Sequence, residues 1–416
     1  MKQSPTNNNH TRNKNNGKIY TKNLVYSVYV SGFVIQLGMG MLVPVLPTFI
    51  SDLGVGIALV GLGVSGILIG NTIFDIPSGL LVGKYGHKKV MIAATLILAV
   101  TSILTGFIDN FAIFFLLRIL SGCAASMWHI SRMSYLSNLI PNQQRGKVLA
   151  TFGGVHRLGL FIGPILGGLI GAYISLGSVF IIQGILASLL LILFIRDEQN
   201  ETSSDNVAET NEKSISMKKI FQENSSMITK GSIAIISLGM IRQGRQLLLP
   251  LWGVHLGMSV DEIGYVIGAA SGIDMIMFLP AGYVMDKWGR KWMAVPSCMF
   301  LAIGLFLMPL TANLWTFSAI AIFTGFANGL GSGAMMTLGA DLAPTKHSGE
   351  FLGIWKLIGD TSASAAPILI GQIAGIFTLG LSSACIGLIG VLGSIGIYIF
   401  VPETLIKKNE SPVKPK

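Results

Sequence analysis

Charge is what this chain has little of. Only 12% of its 416 residues are Asp, Glu, Lys or Arg, where a soluble domain carries roughly a quarter. That deficit excludes a water-soluble fold for the bulk of the chain. Cysteine is scarce too: three residues without regular spacing leave no disulfide framework and no metal motif. No G-x-x-x-x-G-K-S/T segment is present to cradle ATP phosphates, and no nucleophile–base or metal-ligand spacing suggests an enzyme. Neither a cofactor nor a metal is expected. What abounds is apolar: 51% hydrophobic residues, 51 glycines and a mean hydropathy of +0.66.

The apolar residues fall into long runs, and a membrane helix needs about 20 of them. Twelve spans can be drawn, near 24–46, 58–83, 90–108, 111–136, 147–172, 176–195, 229–256, 261–285, 292–312, 314–342, 350–374 and 378–401. With alternate connections assigned to opposite sides, 23 of the 29 Lys and Arg fall on the side of the termini, none lie in loops opposite, and 6 lie within spans. Cationic loops stay cytoplasmic, so both termini are expected inside a cell membrane. The basic pI of about 9.5 is then topology, and nucleic acid is not an expected partner. Residues 1–22 read as a disordered tail, 23–195 and 229–401 as two six-helix bundles, 196–228 as a cytoplasmic linker and 402–416 as a second tail. The expected fold is all-α, twelve transmembrane helices in two pseudo-symmetric bundles, monomeric in the bilayer.

A repeat supports the two bundles. A constant shift of 203 aligns Pro47 with Pro250, Gly61 with Gly264, Pro77 with Pro280, Pro141 with Pro344 and Pro164 with Pro367, without a gap. Parallel tandem halves are a transporter architecture with cargo held between them. The turn "PAGYVMDKWGRK" at 280–291 repeats "PSGLLVGKYGHK" at 77–88, but only the later copy is charged. Asp286, Arg290 and Asp341 in the second half correspond to Gly83, His87 and Asn138 in the first. All three charges are absent together, as a single network would be; drift in a surface turn is the alternative.

Three motifs carry a resemblance to the major facilitator superfamily over residues 24–401. Gly282, Asp286, Gly289, Arg290 and Lys291 match its loop signature G-x-x-x-D-x-x-G-R-K. Arg118 to Gly122 is similar to its fourth-helix R-x-x-Q-G, with Ser121 in place of Gln. "GLFIGPILGG", carrying Gly159, Gly163, Pro164, Gly167 and Gly168, matches the fifth-helix signature of the drug:proton antiporter branch. The resemblance implies proton-coupled antiport of a small organic solute or drug by alternating access, with Asp286, Arg290 and Asp341 as a cytoplasmic gate latch. Proton-coupled uptake of an organic anion and a non-transporting sensor or scaffold on the same fold are the alternatives.

Ionisable groups inside spans are costly and functional by default. They comprise Asp75, Arg118, His129, Arg132, His156, Arg157, Arg242, Arg245, His255, Asp274, Lys356 and Asp360; spans 3, 6, 9 and 12 hold none. That matches the family layout, in which those four helices face lipid. Pinning of helices is the competing role, above all for Asp75 and Arg132. Depth alone, at 1.5 Å per residue, suggests that Arg242 pairs with Asp274 and Arg157 with Asp360. Six cations face three acids, so the surplus invites an anionic or carbonyl-rich cargo. Asp75, Asp274 and Asp360 are the candidate proton carriers, with His129 and His156 as titratable alternatives. Trp128, Trp252 and Trp355 are candidate cavity walls, and Asn71 and Asn328 weaker polar candidates.

Overall fold

The computed structural model describes residues 25–139, 145–198, 225–344 and 348–403. Most of the expected tails and linker lie outside those residues. The described residues form helices and short turns, with no strand among them. A π-helical turn, Val25–Val30, leads into α1 (Ser31–Asp52). The first half continues with α2 (Ile57–Tyr85), α3 (His87–Thr105), α4 (Phe111–Leu139), α5 (Arg145–Tyr173) and α6 (Leu176–Glu198). The second comprises α7 (Ser225–His255), α8 (Val260–Trp288), α9 (Lys291–Leu307), α10 in two pieces (Leu314–Leu330 and Ala334–Leu342), α11 (Ser348–Ile376) and α12 (Leu379–Phe400).

Ten stretches among the described residues are long and apolar enough to cross a membrane. The two long helices that miss that criterion are α7 and α11, which carry Arg242, Arg245, Lys356 and Asp360. These are the helices whose polar faces need shelter from lipid. By contrast, α3, α6, α9 and α12 expose apolar stripes to the outside, among them Leu96, Leu189, Phe306 and Leu392. That is the surface a hydrocarbon solvent accepts.

Packing repeats between the halves. Helix α2 lies on α4 as α8 lies on α10, and α1 lies on α5 as α7 lies on α11. The halves meet mainly along two seams, α5 against α8 and α2 against α11. Helices α2 and α8 end alike, at Gly86 and Gly289, whose φ angles of 82° and 118° favour glycine. Helix α10 breaks where α4 runs through. Gly331, Ser332 and Gly333 interrupt it, and Gly333 has φ 86°, whereas Trp128, His129 and Ile130 stand 203 positions earlier in unbroken α4.

Both seams are shut at one end and open at the other. We call the end bearing Val25, Glu403 and the α2–α3 and α8–α9 turns the terminal side. On the opposite, far side a Cβ on Gly61 would lie 2.2 Å from the Pro367 carbonyl and 2.9 Å from Gly371. Its repeat mate Gly264 would meet the Pro164 carbonyl at 2.5 Å and Gly168 at 2.9 Å. Backbone thus touches backbone at both seams, the close approach that small residues permit. On the terminal side Gly79, Gly83, Gly154, Gly282 and Gly353 have nothing within 4 Å of an added Cβ. The buried apolar residues agree. Met41 to Ile50 and Phe114 join the core of the second half, while the first half's terminal-side residues, such as Met91, Trp128, Tyr135 and Phe152, cluster apart.

Candidate functional site

Two adjoining cavities lie between the halves. One, of about 280 Å³, is walled by Gln36, Asn71, Arg118, Gln243 and Gln246 among apolar neighbours. The other, of about 180 Å³, is walled by Arg157, Arg242, Arg245, Asp274 and Asn328. They share Val43, Gln243 and Gln246. Helix geometry explains the shared wall, since Arg242 and Arg245, and likewise Gln243 and Gln246, recur at i and i+3 on α7.

Asp274, at the centre of α8, is the hub. Its Oδ1 accepts from Arg157 Nη1 at 3.2 Å and from Ser332 Oγ at 3.3 Å, and its Oδ2 accepts from Asn328 Nδ2 at 3.0 Å. The Arg157 bond crosses from one half to the other. The Arg157 guanidinium also stacks 4.3 Å from the Phe278 ring, a stabilising cation–π geometry. The second seam has its own bridge. Lys356 Nζ donates to Asp75 Oδ2 at 2.5 Å and to Asp360 Oδ2 at 2.6 Å, and Ser126 donates to Asp75 Oδ1 at 2.6 Å. The repeat mates of Lys356 and Asp75 are Gly153 and Phe278, which pack together without charge.

The depth argument chose the wrong partners. Arg157 pairs with Asp274 and not with Asp360, which is taken by Lys356. Arg242 reaches Asp274 only at longer range. Its Nη1 lies 3.9 Å from Met335 Sδ, and its Nη2 lies beside Gly331 at the α10 break. Arg245 Nε donates to Thr324 Oγ1 at 2.9 Å. Rise along a helix fixes depth; the partner depends on rotation about the axis, which rise does not give.

The remaining candidates distribute as follows. Arg118 is buried on α4 with Nε unpartnered. His129 is exposed on α4, with Lys356, Asp75 and His156 as electrostatic neighbours. His156 is half-buried, its ring 6.1 Å from that of Phe152. Arg132 is buried between Trp128 and Phe152, at 4.2 and 3.9 Å from their rings. The three tryptophans pack instead of walling either cavity: all are buried, Trp252 donates to Thr311 at 2.8 Å and Trp355 to the Met335 carbonyl at 3.1 Å. Gly159, Gly163 and Gly167 press α5 onto the α1 backbone, while Gly168 meets α8 beside Pro164.

At the terminal side Arg290 Nε donates to Asp341 Oδ2 at 3.0 Å, and its Nη1 donates to the Met285 carbonyl at 2.9 Å and to Asp286 Oδ1 at 3.5 Å. All of these lie within the second half. Sequence reasoning missed Glu403, whose carboxylate accepts the Arg290 and Lys291 amides at 3.0 and 3.2 Å and so caps the start of α9. It also missed Gln243 and Gln246, although "RQGRQ" held the signal, and Ser126, Thr324 and Ser332, which no spacing singles out.

A bundle of two like halves, a chamber between them and ion pairs across the seams is the anatomy of a solute carrier. The family model of the Major Facilitator Superfamily matches residues 28–277 and 231–415. The chain belongs to that superfamily. It is similar to an uncharacterised MFS-type transporter of Methanocaldococcus jannaschii, 22% identical over 91% of this chain and 95% of the relative. It is also similar to the multi-drug resistance efflux pump PmrA of Streptococcus pneumoniae, 26% identical over 74% of this chain and 77% of the pump. Among solved structures, the inward-open xylose transporter XylE from E. coli superposes with a TM-score of 0.71 at 15% identity, covering 93% of this chain and 98% of that one. That likeness concerns the fold alone. This Major Facilitator Superfamily member is a multi-pass membrane transporter of small molecules, in a family whose proteins are commonly monomeric and are generally not enzymes.

Proposed function

We propose that this transporter exports a small organic solute in exchange for protons, by rocking its halves about the cavities, with both termini in the cytoplasm of a cell-membrane protein. The observation that carries the proposal is the Arg157–Asp274 bond, which joins the halves at mid-depth in the cavity wall. Rocking that parts α5 from α8 must break it. A carboxylate that loses its contacting arginine keeps only the longer-range Arg242 and Arg245, so its charge is less stabilised and protonation becomes less costly. Movement of the halves and occupancy by a proton are thereby linked. The terminal-side opening then faces the cytoplasm, where cargo enters. The outward direction follows the similarity to efflux pumps such as PmrA. Asp75, Lys356 and Asp360 form the second bridge that must yield in the same motion, and Asp286, Arg290 and Asp341 hold the terminal-side turn until the gate closes.

Everted vesicles energised acid-inside, with a pH-sensitive dye, provide the test. Addition of a transported compound from a panel of cations, zwitterions and anions should discharge the gradient. Asp274→Asn should reduce that discharge to the level of vesicles lacking the protein. Normal discharge by that variant would reject the assignment, and cargo leaving the lumen together with protons would identify symport.

A further inference from the structure

The cavity walls hold more positive charge than the protein balances. Arg157 is matched by Asp274, and Lys356 by Asp75 and Asp360. Arg118, Arg242 and Arg245 have no carboxylate within 4.0 Å among the described residues. Nε of Arg118 and both Nε and Nη2 of Arg242 are buried without an acceptor. A fourth unmatched cation, Arg132, is held by aromatic rings and walls neither cavity. The two cavities thus present four arginines and one carboxylate, Asp274.

We infer that the cargo is a small organic anion whose carboxylate or phosphate oxygens lie between Arg118 of α4 and Arg245 of α7. This rests on the transport role proposed above. The planar guanidinium fork suits either oxyanion, and Gln243 and Gln246, in the walls of both cavities, supply amide donors along the way. Volumes of about 280 and 180 Å³ favour a small molecule. The two arginines belong to different halves. They line adjoining cavities, so an anion held by both bridges the halves and favours closure of a loaded chamber over an empty one. A cationic solute meets the same arginines as a barrier. Asp274 is in contact with Arg157 and not with Arg118 or Arg245, which leaves the proton and the cargo on separate groups.

Thermal unfolding of the purified full-length protein, at fixed pH and ionic strength, tests this with succinate, benzoate and glycerol 3-phosphate as anions, D-xylose as a neutral solute and tetraphenylphosphonium as a cation. At least one anion should raise the unfolding temperature, and the carboxylate and phosphate arms identify which oxyanion is preferred. Arg118→Gln and Arg245→Gln should each weaken that anion about tenfold, the loss of one charge-assisted bond, while the exposed Lys230→Gln should not. Binding of tetraphenylphosphonium or xylose alone, anion binding indifferent to both arginine changes, or no shift with any of the three anions overturns the inference. Failure here with gradient discharge still lost in Asp274→Asn removes only the cargo class; the converse removes only the coupling role.

Discussion

Gly61→Ala tests whether the far-side closure is a balance that a single methyl group can tip. The added Cβ would lie 2.2 Å from the Pro367 carbonyl oxygen, where ordinary contact begins at 3.4 Å. Helix α2 must therefore retreat from α11 by roughly 1 Å, a typical overpacking strain of about 1–3 kcal/mol. The strain falls only on the arrangement in which this seam is shut on the far side. If the protein interconverts with one open there, the ratio of the two shifts by roughly 5- to 150-fold. A cysteine at Gly353, where nothing lies within 4 Å, reports terminal-side opening. In a background with the three native cysteines replaced by serine, its reaction with a membrane-impermeant maleimide, which follows the open population, should slow by up to that factor in Gly61→Ala. Gly79→Ala lies on the terminal-side part of the same helix and meets nothing, so it should leave the rate unchanged. Equal reactivity in the Gly61→Ala and parent chains, or an equal loss in Gly79→Ala, would refute the reasoning.

Further outcomes follow from the ion pairs and caps. A double-mutant stability cycle on Arg157 and Asp274 should give a coupling of roughly 0.5–3 kcal/mol, and one on Arg242 and Asp274 should give less, since only the first pair is in contact. Arg132→Met should keep or raise the unfolding temperature, because Nε and Nη1 are buried without partners and an apolar side chain of similar size avoids that cost; a marked fall would show that the cation–π contacts with Trp128 and Phe152 outweigh it. Glu403→Ala should speed hydrogen exchange at the Arg290 and Lys291 amides by roughly five- to tenfold, the loss of one helix cap. Unchanged exchange would mean that water replaces the carboxylate at no cost.

Much of the architecture could be read from the chain because its causes are one-dimensional. Hydrocarbon demands runs of apolar residues, so the scarcity of charge set the fold class, and the 203-residue repeat of Pro and Gly set two like halves. Gly61 and Gly264 were visible as repeat mates before their shared task, backbone contact at the two seams, was known. Charges confined to particular spans marked the helices that line the interior. What the chain could not state was which groups meet. Arg157 and Asp274 are 117 positions apart and Lys356 and Asp75 are 281; each pairing depends on the rotation and tilt of helices from different halves, which no periodicity along one helix records. The same holds for the break in α10 that receives Arg242, for Glu403 capping α9 and for the far-side closure with the terminal side open. Composition and spacing determined a duplicated membrane bundle with scarce buried charge. Only packing between the halves decided which charges are matched and which are left facing the chamber.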